Sequence, residues 1–431
     1  MASKGSLGSD GGAPPVAQAP KASSKASGVY FTTISLPRLD PSGDSAKVTW
    51  YFVLPLLLLA LAGSVLALLA LRTLVPRVLA RQASACDPPA LAASLLKPLH
   101  GAEPGLAENL TSTLAQRHAA PFEVLFATAS PQDKACPVAR QAMAASATPA
   151  RLLTGGAVLG ANRKVSQLVH LAAAARHPVL VVADADMRCP PEWLTAVTAP
   201  LATPGVGLVT CLYRGEAGDG RLWSRLAALG IDWHFLPNAA LGESLGKAEG
   251  CYGATMALTR ETLDRIGGFG PLLPLLADDH ALGMAVRQLG LRVVVAPVIP
   301  VHVTTEPSLA ALWSHELRWA RTVRLLRPKG FLGLAFTHPL AWALLALALA
   351  PGMLTLGTLA LTLAARLFLA QGVDRALGVP GGWRRWAWLP LRDLLSAAIW
   401  AAAFWPGQVV WGAHRYRLGA DGRMVETPRA P

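Results

Sequence analysis

The chain has 431 residues, 52% of them hydrophobic, with 39 Lys and Arg against 26 Asp and Glu. A mean hydropathy of +0.38 is too high for an ordinary soluble enzyme, and the charge spread through the middle of the chain excludes a pure membrane bundle. The formal charge of +13 would suit nucleic acid, an anionic substrate or an anionic membrane; because the basic residues cluster beside apolar runs ("RTLVPRVLARQ", "RWARTVRLLRPKG", "GWRRW"), the partner expected is a lipid bilayer and no nucleic acid.

Residues 1–46 are a leader rich in Ala, Ser, Gly and Pro. It has too few large apolar side chains to offset chain entropy and is expected to be disordered. No residue between Lys47 and Arg72 is charged. As a helix that interval reaches roughly 36 Å, against a hydrocarbon core of about 30 Å, so a transmembrane anchor is expected over 48–80. It is read as retained, since no small-residue cleavage site follows it promptly. Cys86, Cys136, Cys189, Cys211 and Cys251 are scattered, odd in number and without a C-x-x-C pair, which suits reduced packing residues.

Over 87–329 the composition shifts to short apolar runs alternating with helical stretches. "LAASLLKPL", "FEVLFATAS", "PVLVVADAD", "VGLVTCLY", "GATMALT" and "LRVVVAPV" read as strands, and "KVSQLVHLAAAAR" and "DHALGMAVRQLG" as helices between them. That alternation predicts an α/β domain with a largely parallel sheet. Ligands of such sheets bind beyond the carboxyl ends of the strands, where Asp184 and Asp186 fall. In an extended segment residues i and i+2 point to one side about 6.5 Å apart, so the two aspartates suit one hard divalent cation shared with a phosphate. Alone, a D-x-D is as readily a solvated turn. Asp278 and Asp279 stand at a helix start, where adjacent acids are often only caps. In "HELRWARTVR", His315, Arg318 and Trp319 fall on one helical face next to the bilayer, a pattern that an interfacial anchor would also give.

From residue 330 to 365 the chain is again uncharged, roughly 54 Å as one helix and too long for one span. Pro351-Gly352 therefore predicts a turn between two transmembrane helices over 330–371. Residues 372–392 include "GGWRRWAWLPLRD" and read as an interfacial loop. The run 393–413, broken by Pro406-Gly407, spans the membrane or lies in its interface, and 414–431 reads as a basic tail. Basic flanks favour a cytoplasmic central region.

The order of these motifs resembles family 2 of the inverting, nucleotide-sugar-dependent glycosyltransferases, whose signature is D-x-D, then E/D-D, then Q/R-x-x-R-W. Within it, "LLKPLHGAEPGLAENL", "GANRKVSQL", "DADMRCPPEWL", "CYGATMALTRETLDRIGGF", "LADDHALGMAVRQLGLRVVV" and "HELRWARTVR" are similar to the ceramide glucosyltransferases, and closest to the bacterial hopanoid-biosynthesis enzymes that add N-acetylglucosamine to bacteriohopanetetrol. The likeness covers about 90–330 and continues into "HRYRLGADGR".

The resemblance implies an α/β, Rossmann-like GT-A domain in the cytoplasm with flanking transmembrane helices, in a bacterial inner membrane. It implies a UDP-sugar donor, a hopanoid or ceramide-like lipid acceptor, and Mg²⁺ or Mn²⁺ held by Asp184 and Asp186. It assigns catalysis to Asp279, as general base, with Asp278 beside it. Glu103 would contact the nucleoside, Asn162 and Lys164 the nucleotide, and His315, Arg318 and Trp319 the meeting point of diphosphate and acceptor, while Gly253 would let backbone approach the donor sugar. Two positions depart from the family pattern: His315 stands where Gln or Arg is common, and Ser130 where an Asp often follows the second strand, with Asp133 as a possible substitute. The function expected is N-acetylglucosamine transfer from its UDP donor to a hopanoid. A ceramide-type glucosyltransferase and a non-catalytic membrane scaffold are the alternatives.

Overall fold

The computed structural model describes residues 43–83, 90–246, 251–411, 414–419 and 421–427. All six expected strand runs contain strands of one central sheet, which also takes in a seventh. We number them β1 (Ala93–Pro98), β2 (Phe122–Thr128), β3 (Ala150–Thr154), β4 (Val179–Ala183), β5 (Val206–Thr210), β6 (Thr255–Thr259) and β7 (Arg292–Val295), in spatial order β3-β2-β1-β4-β6-β5-β7. β6 runs antiparallel to both its neighbours, and the remaining pairs are parallel. β3 has no counterpart among the expected runs because "ARLLT" is half-exposed at the sheet edge, with little of the apolar density that marked the others.

Successive residues of each strand serve opposite faces, as the pleat demands. Leu95, Val124, Val179 and Val181 pack with Trp193 in one core, while Leu96, Leu125, Leu180 and Val182 pack with Leu168, Leu282 and Val286 in another. A sheet covered on both sides needs near-continuous apolar strands, and β1 and β4 are buried along their whole length. The chain adds β2 and β3 on one side of β1, then returns to add β4 on the other, so the topological switch lies between β1 and β4, where a crevice opens. The antiparallel register Ala183↔Thr255 brings the start of β6 beside the end of β4, and Asp184 N donates to Ala254 O at 3.3 Å.

A smaller sheet follows the D-x-D. Val301–Thr304 lies at its centre, antiparallel to Met187–Arg188 and parallel to Arg214–Ala217. Beyond it, the 18-residue helix Leu309–Leu326 starts at Ser308, whose side chain accepts from Ala311 N.

Two helical stretches, Thr49–Val78 and Met353–Leu377, are long and apolar enough to cross a membrane. A third apolar stretch, Pro328–Thr337 with Pro339–Leu349, is bent by 65°. The bend falls at Pro339, which lacks the N–H that would continue the helix. The break at Pro351-Gly352 falls where the sequence places it, but the helix after it runs on to Leu377, past the expected end at 371. Of the expected leader 1–46, residues 1–42 lie outside the described residues, and 43–46 are not disordered but open the helix Gly43–Ala83.

Two differences stand at the C-terminus. The apolar helix expected over 393–413 is instead Leu389–Ala402, about 21 Å long and short of a hydrocarbon core; it stops ahead of Pro406-Gly407. The expected basic tail is a small antiparallel sheet of Val409–Trp411, His414–Leu418 and Met424–Glu426, whose Val409, Tyr416 and Met424 bury against Leu276. Alternation in "HRYRL" and the turn in "GADG" explain it.

Candidate active site

The carboxyl end of β4 delivers Asp184 and Asp186 to the crevice floor. Lys164, in the first turn of the helix Arg163–Ala174, meets Asp184 Oδ1 at 2.5 Å and lies 3.8 Å from Asp278 Oδ2. One ammonium group thereby joins the two acidic motifs. Asp278 is buried, whereas Asp279 remains half-exposed to the crevice. Both open the helix Asp278–Gln288, whose dipole favours negative charge there.

Asp279 is closely held. Its Oδ1 accepts from His280 N at 2.7 Å, and its backbone carbonyl accepts from Cys251 Sγ at 2.9 Å. Gly253 lies directly against it: a Cβ at that position would stand 2.7 Å from Asp279 Oδ2. The glycine therefore makes room for the carboxylate, a different reason from the sugar contact that the resemblance implies. Burial raises the Asp279 carboxyl above its ordinary range and the Asp184 charge adds to this, against the pull of Lys164. Asp278 is raised likewise by burial and by Asp279, and Asp184 by burial and by Asp186.

Asp186 behaves differently. Burial alone would raise it, but the charge and hydrogen bond of His302, together with the charges of Lys97 and Lys164, outweigh that effect and hold it at about 2. His302 Nε2 is 3.1 Å from Asp186 Oδ2, while Asp186 Oδ1 is buried without a hydrogen-bond partner. Beneath the pair, fully buried Lys97 donates to Met187 O at 3.2 Å; burial lowers its pKa, against the attraction of Cys189, Asp186 and Asp184.

The helix Leu309–Leu326 supplies the cationic wall. Arg318 is lowered to about 10 by burial, opposed by Glu306, Asp184, Asp186 and Asp278, so it stays charged near neutrality. Its guanidinium also lies 5.7 Å from the Trp411 ring centre, which brings the C-terminal sheet to the site. Trp319 packs on His315 with ring centres 4.3 Å apart and meets His302 edge-on at 6.4 Å. His315 Nδ1 pairs with Glu306 Oε1 at 2.7 Å.

Of the expected site residues, Asp184, Asp186, Lys164, Asp278, Asp279 and Gly253 adjoin one another, with Arg318 coupled to them by charge. Asn162 braces the site from beneath: its Oδ1 caps the Lys164 helix through Val165 N, and its Nδ2 reaches Leu275 O at 2.9 Å and Asp278 Oδ1 at 3.3 Å. Glu103 is exposed at the rim, accepting from Thr305 Oγ1 at 2.7 Å. Asp133 ties two loops together through Gly101 N at 2.9 Å and Ala135 N at 2.8 Å. The sequence pattern did not single out His302, Lys97 or Glu306.

A family model described as glycosyl transferase family 21 matches residues 54–424. The chain belongs to that family. By its description that is a family of glycosyl transferases, and the central sheet is of the mixed α/β kind that the resemblance implied. Among curated proteins it is similar to ceramide glucosyltransferase 1 of Caenorhabditis elegans, 22% identical over 237 residues, or 54% of this chain and 50% of that one. The chain thus spans about half the length of the curated relative it matches. Among solved structures it is similar to a mannosyltransferase from Pyrobaculum calidifontis in complex with GDP-Man and Mn²⁺ (20% identity, 80% of this chain and 98% of that one, TM-score 0.42). It is also similar to glucosyl-3-phosphoglycerate synthase from Mycobacterium tuberculosis in complex with Mg²⁺ and UDP (18% identity, 58% and 82%, TM-score 0.35).

Proposed function

We propose that the chain is an inverting, membrane-bound transferase that moves N-acetylglucosamine from UDP-N-acetylglucosamine to a hydroxyl of a polyhydroxylated hopanoid. The observation that carries the mechanism is Asp279, a half-buried carboxylate with a raised pKa, in charge contact with Asp184 of the D-x-D and with Lys164. A base of raised pKa works closer to neutral pH than an ordinary aspartate. It takes the proton of the acceptor hydroxyl as that oxygen attacks the anomeric carbon. The bond to UDP breaks on the opposite face, its electron pair leaves with the diphosphate, and the product is β-linked. Arg318 neutralises the leaving charge.

The donor set fits Mg²⁺ or Mn²⁺. Asp186 Oδ1 is a buried acceptor with no donor, the kind of group that a hard cation satisfies. Among the described residues no three or more His, Cys, Asp or Glu side chains gather into a full ligand set. A cation there would be held by Asp186 and Asp184 and completed by donor phosphates. When bound, such a cation neutralises diphosphate charge.

A bacterial inner membrane with the catalytic domain on the cytoplasmic side is supported by the basic residues that flank the apolar segments. The C. elegans relative favours a second reading, UDP-glucose transfer to a ceramide-like lipid. Purified protein with Mn²⁺, offered labelled UDP-N-acetylglucosamine or UDP-glucose against bacteriohopanetetrol or ceramide, separates the two. Label passing from UDP-N-acetylglucosamine to the hopanoid supports the proposal, and glucose passing to ceramide replaces it with the second reading.

A further inference from the structure

The helix Met353–Leu377 ends on Gly378, whose φ of +64° turns the chain away as Val379 N donates to Asp374 O at 2.9 Å. Beside that end lies a cavity of about 480 Å³, walled by Arg214, Arg225, Arg384 and Arg385 against a single carboxylate, Glu216. None of Asp184, Asp186, Asp279 or Arg318 lines it. It opens at the outer edge of the small sheet, with Val301–Thr304 between its wall strand Arg214–Ala217 and the strand that follows the D-x-D.

The charges in this cavity do not cancel. Glu216 is fully committed, its Oε1 to Arg188 at 2.5 Å and its Oε2 to Arg214 at 2.9 Å. Arg385 is committed inward, to Asp232 Oδ2 at 2.6 Å and to Asp374 at 3.2 Å. Arg225 and Arg384 are exposed and have no carboxylate partner among the described residues. Two guanidinium groups with no carboxylate partner over one cavity select an anion, and guanidinium forks match phosphate oxygens. The location selects its source: the cavity adjoins the end of an apolar helix long enough to span, beside Trp383 and Trp388, 73% and 37% exposed. Indoles of that kind sit at headgroup depth.

We propose that this cavity seats the phosphate of an anionic phospholipid headgroup. The inference rests on the reading that Met353–Leu377 crosses the bilayer. It is tested on the full-length protein in micelles, titrated with phosphatidylglycerol or phosphatidylcholine and read as retained lipid by native mass spectrometry. Wild type is expected to prefer phosphatidylglycerol, and Arg225→Ala with Arg384→Ala to weaken that lipid about 30-fold, with Arg225→Lys and Arg384→Lys, which keep the charge but not the fork, recovering only part of it. Arg265→Ala, an exposed arginine elsewhere, should change nothing. Equal retention of the two lipids, or unchanged affinity in the double alanine variant, overturns the proposal. Full displacement of the lipid by an equal concentration of inorganic phosphate overturns the lipid assignment in favour of a soluble anion. Alkaline extraction of membranes and sugar transfer are read separately. Selective lipid retention by a protein that transfers no sugar leaves this inference standing while the catalytic reading falls, and extraction from the membrane removes the spanning reading on its own.

Discussion

Replacing Gly253 by alanine sets a methyl group against the carboxylate assigned as the base. Its Cβ would stand 2.7 Å from Asp279 Oδ2, 3.0 Å from Asp279 Cβ and 3.1 Å from Asp279 Cγ. Ordinary contact begins near 3.4 Å, so the side chain must retreat by about 0.3 Å (3.4 − 3.1) at Cγ and about 0.7 Å (3.4 − 2.7) at Oδ2. There is little slack, because His280 N and Cys251 Sγ hold Asp279 at two points. A misplacement of about 1 Å costs on the order of a hundred-fold in rate, so kcat is expected to fall roughly ten- to a hundred-fold. Gly253 is not among the glycines with positive φ; the cost to folding is local overpacking of about 1–3 kcal/mol. Steady-state transfer kinetics beside calorimetric UDP binding read the two effects apart. An unchanged kcat, or a loss of UDP affinity as large as the loss of rate, would refute the reasoning.

Asp279→Asn should lower transfer by about 10²- to 10⁴-fold while UDP still binds. Because the base acts deprotonated and its pKa is raised, wild-type kcat/KM should fall with decreasing pH at a point above the usual carboxylate range, and the asparagine variant should lose that limb. Asp186→Ala should remove the Mn²⁺ dependence of UDP affinity, and equal affinity with Mn²⁺ or chelator in wild type would contradict the cation assignment. Glu316→Gln breaks a bidentate pair with buried Arg392, at 2.8 and 2.7 Å, on the turn that carries Arg318. The stranded guanidinium should cost about 3–5 kcal/mol, read as a lower thermal midpoint accompanied by slower transfer.

The position of the two acid pairs was legible because local patterns mark them: an apolar strand that ends before a carboxylate pair, and an acid pair at a helix start. Roles that depend on distant partners were not. Asn162 stands in the expected block, but its contact with Asp278 spans 116 residues, and no local spacing reveals a cap that also braces a second helix. Gly253 was visible as a glycine, and only the fold shows that Asp279 fills the space it leaves. His302 sits in "VIPVHVTT", and the acid nearest to it in sequence, Glu306, pairs with His315 instead, so its bond to Asp186, 116 residues away, carried no sequence signal. The C-terminal sheet did leave one: Tyr416, Leu418 and Met424 alternate around the Asp421-Gly422 turn, a period that the basic residues between them masked.

The central claim is single displacement at the anomeric carbon with Asp279 as the base. Its most direct test is the anomeric configuration of the purified glycolipid, read from the proton coupling at C1 by NMR after reaction with an α-linked UDP-sugar. The account expects a β-linked product, absent with Asp279→Asn. An α-linked product would contradict it, because single displacement from the face opposite UDP inverts the anomeric carbon.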